Sequence, residues 1–422
     1  MQAAAVAAVK EEGFDFMVNQ YGRSAGHMPL VQNLAKNYTK TLGREVDPIN
    51  EVVVTDGASE ALCSVMLGLL NPGDEVVTLE PAFDIYIAQA EMAGATLKTV
   101  PYRTRLDSAG KKEWYVDMDE LAAAFSPKTK MFLLNTPHNP TGKVWSRAEL
   151  ERAAAIVQSH PNVVAVADEV YEHMVYDGKV HTSLASLPGM WERTLTVSSA
   201  GKTFSVTGWK VGWTVGPAHL VRAAAVAHQW MAFSVCTPMQ QAIADSLVQA
   251  TAPYEGSSSY YTWLNSMYRA KRSLMCDALS AAGIEPIVPE GGFFIVGDTS
   301  RLQLPESYAA DKSVTRDWAL CRWLTKEIGV AAIPPSSFYC EENKALAGNY
   351  ARSDFFCAQP RLVWLWSRRP LVAPRPHLLT LMFSLRACVA PLLSSFAFCK
   401  PDSVLQEAAK RLLKCREFLK KE

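Results

Sequence analysis

Three segments of the chain share one pattern, in which a continuous apolar run ends in small and polar residues. These segments are KMFLLNTPHNPTG, NVVAVADEVYEHMVY and RTLTVSSAGKTF. Continuous apolar runs are typical of strands that are covered on both faces, as in parallel sheets flanked by helices. Ligands bind at the carboxyl ends of such strands, so the polar residues that end the runs are the first candidates for a functional site.

Other parts of the chain alternate strands and helices in the same way. EVVVTDGASEALCSVMLGLL and DEVVTLEPAFDIYIAQAEMAG each combine a short strand, a turn and a helix. A chain of 422 residues is long enough for two domains. We therefore predict an α/β fold, with a mostly parallel sheet flanked by helices in a large domain, residues 1–248, and a smaller α/β domain, residues 249–422.

Charge and cysteine content narrow the functional class. The 42 basic residues balance the 42 acidic ones, so no overall field favours nucleic acid or an anionic membrane. The nine cysteines are scattered without metal-ligand spacing, which fits a reducing compartment such as the cytoplasm. The apolar stretch HLLTLMFSLRACVAPLLSSFAF contains Arg386 and Pro391, so we expect it to be buried in protein rather than to cross a membrane.

The segment SSAGKTFSVTGWKVGW places hydroxyls, a glycine and two lysines at the end of a predicted strand. A nucleotide-binding P-loop is rejected because that motif requires a glycine where Thr196 stands. A lysine among groups suited to hold a phosphate fits the Schiff-base lysine of a pyridoxal phosphate enzyme, and Lys202 is the candidate. For Lys202 taken alone, a solvated surface lysine is the simpler interpretation.

Residues at neighbouring strand ends favour a coenzyme site. Asp168 ends an apolar run, where a charged partner such as a pyridinium nitrogen would offset the cost of burying it. Tyr171 and Asn139 are candidates to donate to the ring oxygen, and Phe83 is a candidate to stack on the ring. Taken singly, the two aromatic residues have a simpler interpretation as core residues, and Asn139 as a turn residue.

A helix that follows another predicted strand offers a place for the phosphate. Gly57, Ala58 and Ser59 in DGASEAL begin this helix, and the backbone N–H groups at a helix start attract anions. Ser59 has an alternative interpretation as a helix cap. The joint occurrence of these features in the right order favours the coenzyme site.

Three segments carry a family resemblance. NTPHNPTGKVW, ADEVYEHMVYDG and SSAGKTFSVTGWKVGW resemble the signature segments of class I aminotransferases, which are pyridoxal phosphate enzymes of fold type I. The resemblance is strongest to the kynurenine aminotransferase and cysteine-conjugate β-lyase branch. It implies that Lys202 forms the Schiff base and Asp168 pairs with the ring nitrogen. It also implies that Asn139 and Tyr171 hold the ring oxygen.

The same resemblance extends to the phosphate and the substrate. It implies that Ser199 and Lys210 hold the phosphate together with the amides of residues 57–59. VNQYGRSAGHMPL resembles the segment whose tyrosine, here Tyr21, reaches the phosphate of the partner subunit, which implies a homodimer with shared active sites. Arg352 in NYAR matches the arginine that binds the substrate α-carboxylate. Phe233 is a candidate pocket wall, with a core position as the simpler interpretation.

The resemblance implies an aminotransferase that moves the amino group of kynurenine, glutamine or a similar bulky or aromatic amino acid to a 2-oxo acid. Lys202 would act as the general base. A β-lyase side activity, on amino acids with a leaving group at Cβ, would need no further residue.

The sequence departs from the family pattern in two places. Relatives carry an N-terminal segment that closes over the substrate, whereas this chain begins just before FMVNQYG, and a mitochondrial address is left open. The block from Ser353 to Ser395 interrupts the predicted strand after Arg352 and contains no glycine. We expect an insertion read through from non-coding sequence rather than a natural peripheral insertion. The alternative function is therefore a noncatalytic isoform that acts as a coenzyme-binding dimer partner.

Overall fold

The computed structural model describes residues 2–9, 16–348, 350–357 and 399–420 of the chain. The chain divides into two compact units, Met1–Arg269 with Pro289–Gly292 (unit 1) and Ala270–Val288 with Phe293–Glu422 (unit 2). The division lies inside the helix Tyr260–Ala281, further along the chain than the predicted boundary between residues 248 and 249.

Both units contain helices and strands. The helices are α1 (Gln2–Val9), α2 (Met28–Leu42), α3 (Gly57–Leu69), α4 (Asp84–Met92), α5 (Met118–Ala123), α6 (Arg147–Gln158), α7 (Ala200–Thr203), α8 (Ala218–Met231), α9 (Thr237–Gln249), α10 (Tyr260–Ala281), α11 (Glu306–Ala309), α12 (Arg316–Trp323) and α13 (Asp402–Leu412). The strands are β1 (Val52–Asp56), β2 (Glu75–Glu80), β3 (Thr96–Pro101), β4 (Arg103–Leu106), β5 (Lys112–Tyr115), β6 (Thr129–Asn135), β7 (Val164–Asp168), β8 (Thr194–Ser199), β9 (Val211–Val215), β10 (Glu285–Ile287), β11 (Ile295–Asp298), β12 (Val330–Ile333) and β13 (Tyr350–Cys357).

The main sheet of unit 1 has seven strands in the order β1-β9-β8-β7-β6-β2-β3. Strands β8, β7, β6, β2 and β3 are parallel, whereas β9 is antiparallel to both of its neighbours. Strand β1 therefore runs in the same direction as β8. The predicted mostly parallel sheet flanked by helices is confirmed, with β9 as a reversed strand.

The apolar runs of the sequence form this sheet because both of its faces are covered. In β1, Val53 packs into one hydrophobic cluster with α3 and α8, whereas Val52 and Val54 pack into a second cluster with α2 and α9. Successive side chains of a strand point to opposite faces. A strand buried on both faces must therefore be apolar at consecutive positions, as residues 131–134 of β6 are.

Unit 2 contains a four-stranded sheet in the order β10-β11-β13-β12, and its pairings are antiparallel. The sequence predicted that the strand of Arg352 would stop there. Strand β13 instead continues to Cys357, because β12 supplies pairing partners as far as Val330, which lies opposite Cys357. The rest of the predicted insertion, residues 358–395, lies outside the described residues.

Within the described ranges, no helix is both long and apolar enough to cross a membrane. The same ranges contain no group of three or more His, Cys, Asp or Glu side chains placed to hold a metal ion. The apolar stretch 377–398, which the sequence predicted to be buried in protein, lies outside the described residues.

Candidate active site

The carboxyl ends of several strands meet at one edge of the unit 1 sheet. Asn135 at the end of β6 pairs with Asp168 at the end of β7, and Asp168 pairs with Val197 of β8. Because β1 runs in the same direction as β8, its last residue, Asp56, also lies at this edge, and helix α3 begins there. The structure therefore brings together the polar ends of the apolar runs and the start of α3.

The first turn of α3 forms a cradle suited to an anion. Gly57 has a φ of +77°, and a Cβ atom added to it would lie 3.3 Å from Nζ of Lys210. The Lys210 ammonium thus lies over the helix start, where the N–H groups of Ala58 and Ser59 have no acceptor within the helix. The positive charge, these N–H groups and the helix dipole together favour a bound phosphate.

Asp168 is a buried carboxylate with two hydrogen-bond donors, and only 4% of its surface is exposed. The Tyr86 hydroxyl donates to Oδ2 at 2.6 Å, and the N–H of Val170 donates to Oδ1 at 3.4 Å. Burial raises the pKa of Asp168 to about 6, against the opposing effects of Tyr86 and the positive charge of Lys202. The carboxylate is therefore ionised at neutral pH yet poorly hydrated, a state that favours pairing with a protonated nitrogen.

The backbone of Asn139 is fixed by a second asparagine. Asn135 accepts through Oδ1 from the N–H of Asn139 at 2.7 Å and donates through Nδ2 to the carbonyl of Asp168 at 2.8 Å. Both asparagines are buried. Asn135 therefore ties the loop after β6 to the end of β7 and sets the position of Asn139 relative to Asp168.

Lys202 lies on the short helix α7, which begins directly after β8 and Ser199. Its Nζ is 5.6 Å from the centre of the Tyr171 ring, and Asp168 is near enough to feel its charge. Tyr171 and Ser199 are buried, whereas Lys202 is half-buried. The structure thus brings Lys202, Tyr171 and Asp168 together, and their individual roles stay predictions.

Comparison with known proteins agrees with this geometry. A family model described as aminotransferase class I and II matches residues 2–347. The chain belongs to this family. The kynurenine–oxoglutarate transaminase of Dictyostelium discoideum is 45% identical over 352 residues, which cover 80% of each protein. Human kynurenine–oxoglutarate transaminase 1 is 41% identical over 351 residues, which cover 81% of this chain and 82% of the human protein.

Solved structures show the same fold. Bna3p of Saccharomyces cerevisiae matches with a TM-score of 0.81 and 32% identity, over 99% of this chain and 88% of Bna3p. A Thermus thermophilus aspartate aminotransferase mutant matches with a TM-score of 0.72 and 26% identity, over 98% of this chain and 87% of the other. The resemblance and the fold type inferred from the motifs are both confirmed.

In this aminotransferase, Tyr86 is a site residue that the sequence prediction missed. It contacts Asp168 through its hydroxyl and Phe83 through its ring, with ring centres 5.7 Å apart and an interplanar angle of 86°. A signal was present in the sequence, because residues three positions apart lie on one face of a helix and Tyr86 follows Phe83 by three. Stacking of Phe83 on a coenzyme ring stays a prediction.

Phe233 does not lie in the core of the aminotransferase, which corrects the simpler interpretation of its sequence position. It follows α8 with a φ of +67°, and 53% of its surface is exposed. Its ring meets the ring of Tyr21 edge to face, with centres 5.2 Å apart. Tyr21 is 84% exposed, so the two rings form an exposed aromatic pair, and the pocket-wall role of Phe233 stays a prediction.

Arg352 lies on β13 of unit 2, with Val296 opposite it on β11 and Ile333 opposite it on β12. The family match ends at residue 347, just before this strand. Binding of the substrate carboxylate by Arg352 therefore stays a prediction from the NYAR motif.

Proposed function

We propose that this aminotransferase binds pyridoxal phosphate and moves the amino group of kynurenine, or of a similar bulky or aromatic amino acid, to a 2-oxo acid. The observation that carries the proposal is the buried Asp168 carboxylate, which Tyr86 holds at 2.6 Å within reach of the charge of Lys202. The choice of substrate is supported by the transaminases that are 45% and 41% identical to this chain.

The residues present fit the chemical groups of this coenzyme. The cradle of residues 57–59, Lys210 and Ser199 would hold the phosphate, and Asp168 would pair with the ring nitrogen. Asn139 and Tyr171 would donate to the ring oxygen. When bound, the coenzyme supplies an electron sink that weakens the Cα–H bond of the substrate.

Lys202 would carry the coenzyme before substrate arrives and would then move the proton. With substrate bound, the Lys202 amine would act as the general base that takes the proton from the substrate Cα. Asp168 would offer a negative charge to the ring nitrogen, because its pKa of about 6 lies below neutral pH. Arg352 would bind the substrate carboxylate with its guanidinium.

The proposal includes a homodimer in which Tyr21 reaches the phosphate of the partner subunit. Large apolar side chains on one part of unit 1 support an interface, because Tyr21 is 84% exposed, Trp230 81% and Phe233 53%. Exposed aromatic residues of this kind are enriched at protein–protein interfaces.

The test combines coenzyme binding with turnover. The purified chain with added pyridoxal phosphate should show the visible absorption of lysine-bound coenzyme, and kynurenine with 2-oxoglutarate should yield glutamate. Lys202→Ala should abolish both signals, whereas Lys40→Ala, at an exposed position of α2, should leave both unchanged. A visible band that survives Lys202→Ala would contradict the role of Lys202. Coenzyme binding without glutamate formation from any bulky amino acid would favour the noncatalytic dimer partner.

A further inference from the structure

The half-buried Glu60 and the buried His228 form a hydrogen-bonded pair next to the phosphate cradle. Glu60 lies in the first turn of α3, and His228 of α8 has 0% of its surface exposed. Nδ1 of His228 is 3.0 Å from Oε2 of Glu60, and Nε2 is 3.1 Å from the carbonyl oxygen of Ser24. The imidazole therefore bridges α3 and the segment that precedes α2.

Both oxygens that face the imidazole are hydrogen-bond acceptors when Glu60 is ionised, the state that its lowered pKa favours. The Ser24 carbonyl is an acceptor by its chemistry. Glu60 accepts through Oε2, the oxygen that faces the imidazole, from the N–H of Asp56 at 3.1 Å, and the Ser64 hydroxyl lies 2.5 Å from Oε1 and 2.8 Å from the Glu60 carbonyl oxygen. A neutral imidazole has a single N–H and would leave one acceptor without a donor. His228 satisfies both acceptors only as a cation.

The surrounding charges favour the same state. Burial by itself lowers the pKa of His228, but the hydrogen bond and charge of Glu60 outweigh burial and raise that pKa above its usual value. Burial also opposes ionisation of Glu60, yet its hydrogen bonds, that from His228 foremost, bring its pKa below its usual value. Asp56 adds negative charge near His228. The positive charge of Lys210 partly offsets the negative charge of Asp56. The half-buried thiol of Cys63 also lies near Glu60, and burial together with the charge of Glu60 raises the pKa of this thiol.

The pair connects the phosphate cradle to the segment that carries Tyr21, which the proposed function assigns to the phosphate of the partner subunit. Glu60 directly follows the residues 57–59 whose N–H groups form the cradle. Ser24 lies three positions after Tyr21 in the sequence, and Ala25 accepts from the N–H of Val54 in β1 at 3.0 Å. A change at His228 therefore acts on the first turn of α3 and on the segment that carries Tyr21.

We propose that His228, held as a cation between Glu60 and the Ser24 carbonyl, is a positioning residue for the coenzyme phosphate. It fixes the first turn of α3 relative to the segment of Tyr21. The identity of the ligand rests on the proposed function, whereas the charge of the imidazole rests on its hydrogen bonds and on the charges around it.

The positioning depends on pH in a defined direction. The pKa of His228 is higher in the folded chain than in the unfolded chain. The pair therefore contributes fully to the stability of the folded chain below the ordinary histidine pKa of about 6.5. This contribution is lost as the pH rises through the pKa of His228 in the folded chain. We expect coenzyme affinity to fall over that same pH range, and to do so more steeply than in a variant without the imidazole.

The first experiment measures the charge of His228 in the coenzyme-free wild-type chain. Nitrogen NMR on protein with ¹⁵N-labelled histidine separates a cationic ring, with both nitrogens protonated, from a neutral one, and the signal missing from His228→Gln assigns the resonance. We expect both nitrogens to be protonated at pH 7. A neutral ring at pH 6 would overturn the proposal, whatever the function of the chain.

The second experiment measures binding of pyridoxal phosphate to the full chain. His228→Gln and Glu60→Gln should each weaken binding about tenfold at pH 6.5, as expected for loss of one charge-assisted hydrogen bond. The double variant should be no weaker than either single variant, because the two residues act as one unit. His219→Gln is the matched control, since this histidine lies on the same helix but is exposed.

The outcomes separate this proposal from the proposed function. Unchanged affinity in both single variants, with a cationic ring in the wild type, would overturn the positioning role. Failure of the wild-type chain to bind any coenzyme would instead contradict the proposed function, and the NMR result would still decide the charge of His228. If His228→Gln fails to fold, Glu60→Gln keeps the test open, because the imidazole remains and its pKa should fall.

Discussion

The hydroxyl of Tyr86 donates to Oδ2 of Asp168 at 2.6 Å, which joins α4 to the end of β7 within the candidate active site. This bond opposes the effect of burial on the carboxyl group, whose pKa is nevertheless about 6. Tyr86 therefore helps to keep Asp168 charged at the pH at which a protonated ring nitrogen has to be bound.

We expect Tyr86→Phe to weaken coenzyme binding more at pH 6 than at pH 8. Without the donor the pKa of Asp168 rises further, and a protonated carboxyl group does not pair with a protonated nitrogen. The loss at pH 6 should be about tenfold, the size expected for one hydrogen bond to a charged group. Binding is measured by absorbance titration with pyridoxal phosphate. Tyr308→Phe is the control, because it removes a tyrosine–carboxylate bond of similar length, 2.8 Å to Glu327, in unit 2. An equal loss at both pH values would contradict the role of Tyr86.

Asp168→Asn should stabilise the coenzyme-free chain at pH 8 while it abolishes coenzyme binding. The carboxyl pKa is about 6 in the folded chain, above its ordinary value of 3.8. The contribution of this group to the free energy of unfolding is therefore fully present below about pH 4. It is lost as the pH rises through 6, by up to about 3 kcal/mol in all. The amide that Asp168→Asn introduces carries no charge, so the variant does not lose this stability at pH 8. Thermal unfolding at pH 8 provides the measurement, and a lower melting temperature for Asp168→Asn than for wild type would sink the prediction.

Gly57→Ala should reduce coenzyme affinity beyond its effect on stability. Its φ of +77° is strained for a residue with a side chain, and the added Cβ would lie 3.3 Å from Nζ of Lys210. Gly43→Ala is the matched control, because Gly43 has a φ of +67° and open space at its Cβ position. Both changes should cost about 1–2 kcal/mol of unfolding free energy from backbone strain. Only Gly57→Ala should also weaken binding of pyridoxal phosphate, and equal affinities for the two variants would argue against the cradle.

The sequence predicted those parts of the site that depend on strand ends. Asp168 ends a buried strand, and Lys202 follows one. The carboxyl ends of neighbouring parallel strands lie at the same edge of a sheet, so the sequence pattern alone predicts that these residues come together. Tyr86 and Asn135 were missed because their importance arises from contacts across the fold, which a linear pattern does not contain. The core interpretation of Phe233 was wrong, since a residue just after a helix has no periodic pattern to assign its face. Strand β13 extends beyond its predicted end because it pairs with β12. The sequence of β13 alone does not contain this pairing.

Arg316→Lys should raise the KM for the amino acid substrate and leave coenzyme affinity unchanged. Arg316 of α12 donates to the carbonyls of Thr299, Leu302 and Gly348 and to the Thr299 hydroxyl, over distances of 2.9–3.3 Å. Gly348 lies just before β13 and Arg352, so this guanidinium fixes the start of the strand within unit 2. A lysine cannot reproduce the fork of donors.

The control for this prediction is Arg322→Lys, which changes a half-buried arginine paired with Asp311 at 3.3 Å. Steady-state kinetics with kynurenine and a coenzyme titration give the two quantities. A KM that stays at the wild-type value in Arg316→Lys would contradict the link between Arg316 and substrate binding. A parallel loss of coenzyme affinity would indicate a general loss of folding instead.

Mixing two inactive variants should restore activity if active sites are shared between subunits. Tyr21→Ala and Lys202→Ala each impair every site of their own homodimers. In a hybrid, one site combines an intact Lys202 with an intact Tyr21 from the other chain, so random mixing should recover about a quarter of wild-type sites. Tyr21 is 84% exposed in the chain, so its removal should leave folding intact. Glutamate formation after co-refolding measures the recovery. Activity equal to the average of the two parents would show that each subunit builds its site alone, and Tyr21 would then belong to another contact.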